Sequence, residues 1–71
     1  MGYLVSKKQR KLILDYYTRI HEDMRLSQAL TTYTLRKIET GIYSFRDFLH
    51  LALSGQVADG DLTKRLREQL D

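Results

Sequence analysis

The chain has no cysteine, no proline and no tryptophan, and only four glycines among its 71 residues. Without cysteine, neither a disulfide nor a thiolate metal site can support so small a core, and packing between elements must do it. With no proline and little glycine, the chain lacks the punctuation that the turns of a sheet require. Alternation of apolar and polar residues over strand-length windows is scarce as well. The expected class is all-α: a compact bundle of about five short helices in a single domain spanning residues 1–71.

Long apolar runs are also missing. None approaches the roughly 20 residues that cross a bilayer, so no membrane partner is expected. The opening MGYLVSKKQRK has its apolar residues before its charges, the reverse of a signal peptide. Gly2 and Ser6 occupy the two marked positions of a myristoylation motif, but the residues around them fit it poorly. Together with the lack of disulfides, this leads to the expectation of a cytoplasmic protein.

Catalytic signatures are absent too. The two histidines, His21 and His50, stand 29 positions apart on different predicted helices, with no carboxylate or thiol in ligand spacing around either. There is no glycine-rich phosphate loop and no serine nucleophile with a local signature. Glu22 and Asp23 are adjacent, so on a helix they diverge by roughly 100° instead of converging. The expectation is a non-enzyme without metal, cofactor or small-molecule substrate.

What the sequence does contain is helical periodicity. Ser6 is a candidate N-cap, and Ile13, Tyr16, Tyr17, Ile20 and Met24 follow at spacings of three and four. Nothing from Ser6 to Ser27 reads as a turn, so one long helix or two are both open. Thr31 or Thr32 can cap a further helix that carries Leu35 and Ile38 inward and ends at Gly41. Ser44 can cap the next, whose Phe45, Phe48, Leu49 and Ala52 form a wide apolar face. Asp59-Gly60-Asp61 reads as a turn, followed by a helix over residues 61–70. There Leu62, Leu66 and Leu70 form a narrow stripe open to two uses, packing on the chain's own core or contact with another copy. The expected core is Ile13, Tyr17, Ile20, Leu35, Ile38, Phe45, Phe48, Leu49 and Ala52.

Net charge is +3 and the isoelectric point about 9.4. A mild basic excess is compatible with an acidic partner such as nucleic acid. It is concentrated in Lys7, Lys8, Arg10 and Lys11 at the start, and in Arg36 and Lys37 mid-chain.

The stretch MRLSQALTTYTLRKIETG resembles the second and third helices of the phage-repressor (Cro and lambda-repressor-like) helix-turn-helix family. Met24 and Leu30 fall on that family's apolar anchors, and Leu35, Ile38, Glu39 and Gly41 on the core and end of its recognition helix. YSFRDFLHLAL matches the helix that follows. The resemblance extends over roughly residues 8–54 and implies a helix-turn-helix core within 6–54. Arg25 stands where the family has a buried alanine, and Ala29 where it has the turn glycine.

The resemblance implies base-reading positions at Thr32, Tyr33, Arg36 and Lys37, with Thr31 beside them. Arginine can grip guanine with two hydrogen bonds, and a threonine methyl can meet that of thymine. Lys7, Lys8 and Arg19 are candidate phosphate contacts. Three functions follow as expectations. The first is a small phage or mobile-element transcriptional regulator that binds operator DNA as a dimer. The second is an antirepressor in a lysogeny switch, which binds a partner repressor and blocks its DNA-reading surface, with Tyr33, Arg36 and Tyr43 as anchors. The third is a structural subunit of a larger assembly.

Overall fold

A computed structural model describes residues 5–55 and 60–70 and contains four α-helices: α1 (Lys7–Ile20), α2 (Met24–Glu39), α3 (Phe45–Ser54) and α4 (Gly60–Leu70). No strand occurs among the described residues, as the missing turn residues indicate, and the helices number four instead of about five. Two start at the expected serines, whose hydroxyls satisfy first-turn N–H groups that have no partner within the helix. At α1, Gln9 N–H donates to Ser6 Oγ at 3.1 Å, and Ser6 N–H donates to Gln9 Oε1 at 3.2 Å. At α3, Ser44 and Asp47 form the same reciprocal pair at 3.0 and 3.3 Å. Asp59 of the expected turn before α4, like Gly2, lies outside the described residues.

The turn-free stretch after Ser6 is two helices. Asp23 starts the second, its carboxylate accepting Arg25 N–H at 2.9 Å. Ser27, fully buried, holds the junction together. Its hydroxyl lies 3.1 Å from the Tyr17 carbonyl oxygen, 3.1 Å from that of Asp23 and 3.4 Å from that of His21. Its single proton has acceptors on both sides of the break, so the hydroxyl bridges the end of α1 and the start of α2.

From Met24 the chain is helical for 16 residues without interruption. The cap expected at Thr31 or Thr32 and the turn expected near Ala29 are absent. Thr31 Oγ1 donates instead to the Ser27 carbonyl at 2.7 Å, the back-bond of a threonine inside a helix. Alanine, unlike glycine, favours the helix interior, so Ala29 continues the hydrogen-bond ladder. The two-helix unit expected over residues 24–41 is therefore one helix. Its end is as expected: Gly41 adopts φ 81°, Gly41 N–H donates to the Ile38 carbonyl at 3.0 Å, and Ile42 N–H donates to that of Lys37 at 3.1 Å.

All four helices contribute to the core. Leu12, Ile13 and Tyr16 come from α1, Ile38 from α2, Phe48, Leu49 and Ala52 from α3, and Leu62 and Leu66 from α4. Tyr16 and Phe48 meet edge to face at 5.4 Å between ring centres. Of the expected core, Tyr17, Leu35 and Phe45 are half-buried against this cluster. Ile20 is a correction: it is 49% exposed, because α1 ends there and Ser27, not an apolar side chain, fills the junction. The stripe of α4 packs mainly on the chain's own core. Leu62 and Leu66 are inside that core, and Leu70 is half-buried against it. Arg65 Nη2 donates to Asp15 Oδ2 at 2.9 Å, tying α4 to α1.

The inward face of α2 differs from the other three. Ser27, Thr31, Thr34 and Ile38 recur at helical spacing and are buried, so three of its four buried residues are small hydroxyls. Thr34 Oγ1 and the Tyr17 phenol share a hydrogen bond of 2.8 Å. No buried side-chain nitrogen or oxygen among the described residues lacks a partner.

Candidate partner-binding face

With Ser27, Thr31, Thr34 and Ile38 turned inward, helical geometry turns Arg25, Gln28, Ala29, Thr32, Tyr33 and Arg36 outward. These six residues line one shallow depression of about 540 Å³. It is a groove along the helix surface and not an enclosed pocket. Arg25, Thr32, Tyr33 and Arg36 are all exposed, and Tyr33 keeps 62% of its surface open to solvent.

Gln28 and Thr32 also line a second depression of about 250 Å³ with Arg10 and Leu14 of α1 and with Thr31. The two hollows therefore share a wall. No aspartate or glutamate lines either of them.

Lys37 is held differently. Its Nζ lies 5.4 Å from the centre of the Tyr33 ring and 4.9 Å from that of Tyr43, so the ammonium sits between two aromatic faces. Each such contact contributes roughly 0.5–1 kcal/mol at a surface. Tyr43 is placed there by the end of α2, where its N–H donates to the Lys37 carbonyl at 3.2 Å. Burial, aided by the neighbouring Tyr17, Asp47 and Tyr16, pushes the Tyr43 phenol above its ordinary value. Burial, aided by Tyr17, does the same to Tyr16. Arg36 and Lys37 also occupy the last turns of α2, where a cation offsets the partial negative charge of the helix end.

Of the expected contact residues, the structure brings Thr32, Tyr33 and Arg36 into one groove and sets Lys37 and Tyr43 at its end through Tyr33. Thr31 is a correction. It is 5% exposed and bonded within its own helix, and it contributes only an edge to the second hollow. Lys7 and Lys8 are exposed on the first turn of α1. Arg19 lies elsewhere, in a depression with Asp15, Thr18, Leu62 and Arg65 beside α4. Met24, matched to an apolar anchor, is half exposed, since it is the first residue of α2.

Arg10, Arg25 and Gln28 are the residues that sequence reasoning missed. The spacing 25, 28/29, 32, 36 was legible, but only on a continuous helix. Among the described residues no cluster of histidines, aspartates and glutamates could hold a metal ion, and no helix is long and apolar enough to cross a membrane. Comparison of the chain with protein-family models, curated proteins and solved structures gives no match.

Proposed function

We propose that this chain is a small regulatory binding module that acts through the outward face of α2, and that its ligand is a protein: a partner DNA-binding repressor whose DNA-reading surface it covers. One observation carries the proposal. The outward face of a single unbroken helix gathers an exposed tyrosine and two exposed arginines around a shallow floor of Ala29, Gln28 and Thr32. Tyrosine and arginine are the residue types that most often anchor protein interfaces, where rigid aromatic area and forked hydrogen bonding gain most.

Operator DNA is the second reading, and Lys7, Lys8, Arg10 and Lys11, all exposed at the start of α1, favour it. A groove-reading helix, however, offers its N-terminal residues to the bases, with a preceding helix across the backbone. Here Thr32 to Lys37 lie in the C-terminal half of α2, behind two turns of the same helix.

The test is titration of the purified protein against a helix-turn-helix repressor, taken from its own genomic neighbourhood where one is encoded there, and against duplex DNA. Repressor binding should lose about 2 kcal/mol with Tyr33→Ala or Arg36→Ala, chiefly through faster dissociation. DNA binding should be weak, salt-sensitive and blind to sequence. If both substitutions leave the repressor complex unchanged while Arg36→Ala abolishes tight, sequence-selective DNA binding, the order of the two readings is reversed.

A further inference from the structure

The two hollows that meet at Gln28 and Thr32 bring together arginines from separate helices. Arg10 of α1 lies at one side, with Arg25 and Arg36 towards the two ends of the α2 groove. None of the three makes an ion pair with another described residue, and no carboxylate lines either hollow. Between the cations the lining is apolar or neutral: Leu14, the Ala29 methyl, the Tyr33 ring, the Gln28 amide and the Thr32 hydroxyl. Three guanidinium groups left in water around such a floor form a surface awaiting negative charge. Arginine forks suit carboxylates, which they can bind through two parallel hydrogen bonds.

We propose that this arginine-flanked groove binds an acidic amphipathic helix of a protein partner. The inference deepens the protein-binding reading above and rests on it. Arg25 and Arg36 are 11 residues apart on one unbroken helix, about 16 Å along its axis at 1.5 Å per residue. A partner helix lying alongside matches them with carboxylates 11 positions apart. Its intervening residues, four and seven positions on, face the Ala29 floor and the Tyr33 ring and are apolar, as in other helix-in-groove complexes. A phosphodiester backbone supplies charge for the arginines and nothing apolar for that floor. Arg10 adds a third contact at the side, which makes the groove asymmetric.

The probe is a fluorescein-labelled peptide with two glutamates 11 positions apart and leucines at the fourth and seventh positions between them, followed by anisotropy against the full chain. The comparison ligands are the same peptide with both glutamates replaced by glutamine, and a labelled mixed-sequence DNA duplex. The glutamate peptide should bind about a hundredfold more tightly than its glutamine twin, which loses two charge-assisted pairs of about tenfold each. Arg25→Gln and Arg36→Gln should each weaken it by about tenfold and Arg10→Gln by less. Lys64→Gln, an exposed cation on α4, should change it less than about twofold if local contacts and not net charge are at work. All four positions are solvent-facing, and circular dichroism checks that each variant keeps its helices.

Equal binding of the two peptides, or no binding of either, overturns the proposal. So does a duplex that binds more tightly than the peptide and loses affinity with Arg25→Gln and Arg36→Gln, which assigns the groove to nucleic acid. The parent reading fails separately: a repressor complex unchanged by Tyr33→Ala removes α2 from the interface. One that responds to Tyr33→Ala but not to Arg25→Gln leaves α2 in place and overturns the acidic helix alone.

Discussion

Replacing Ser27 with alanine should lower the melting temperature, although alanine is the better helix former. Two effects oppose each other. In a helix interior the exchange gains roughly 0.5 kcal/mol of propensity. Against that, the buried hydroxyl that serves the Tyr17, His21 and Asp23 carbonyls is lost. Two of those carbonyls keep a backbone donor: Tyr17 accepts His21 N–H at 2.9 Å and Asp23 accepts Ser27 N–H at 3.0 Å. The loss is therefore that of one hydrogen bond and partial exposure of the His21 carbonyl, about 1.5 kcal/mol. The net cost is about 1 kcal/mol. For a domain of this size that corresponds to a fall of roughly 4–8 °C. Ser27→Leu should cost more, about 3 kcal/mol, since the site has no exposed surface into which a larger side chain can escape. Thr32→Ala, on the opposite face of the same helix, should leave stability within about 0.5 kcal/mol. Thermal unfolding followed by circular dichroism compares the three. A Ser27→Ala protein that melts at or above the wild-type temperature would falsify the view that this hydroxyl holds the α1–α2 junction.

Two further outcomes are expected. Phe48→Ala should cost on the order of 3–5 kcal/mol, comparable with the whole stability of so small a domain, because the ring is fully buried against Tyr16 and Phe45; denaturant unfolding measures it, and an unchanged midpoint would remove Phe48 from the core. The fold should also lose stability in alkali. Tyr16 and Tyr43 hold their protons more tightly in the folded chain than at the ordinary value of 10.0, so their contribution is complete below that pH and is lost above it, as pH rises through the raised folded values. Melts across this range, with tyrosinate absorbance as a second readout, should show the fall beginning near pH 10 and reduced in Tyr43→Phe; an identical alkaline fall in that variant would exclude Tyr43 as a source.

The helix starts at Ser6 and Ser44 and the stop at Gly41 were legible because each depends on the residue's own side chain or backbone freedom. Phe48, Leu49 and Ala52 were legible because their face is apolar over its full width. The continuity of α2 was not. Threonine caps a helix from outside and back-bonds within one, and Thr31 and Thr32 carry the same local signal for both. The inward face of α2 is also largely hydroxyl, so an apolar count finds no stripe through Ser27, Thr31 and Thr34. The groove followed the same fate. Arg36 and Tyr33 stand out in the sequence, but Arg25 joins them only if the helix does not turn at Ala29. Ser27 could be found only in three dimensions, since its partners are set by how two helices meet.

The position of α4 bears on how the protein is made. Leu62 and Leu66 complete a core whose other walls come from α1, α2 and α3, and Asp15 waits 50 residues for Arg65. During synthesis the apolar surface of α1 and α3 that α4 packs against therefore stays open until α4 is made. Helices α1 and α4, far apart in sequence, must meet before the fold closes, and that closure is slower than the local formation of each helix.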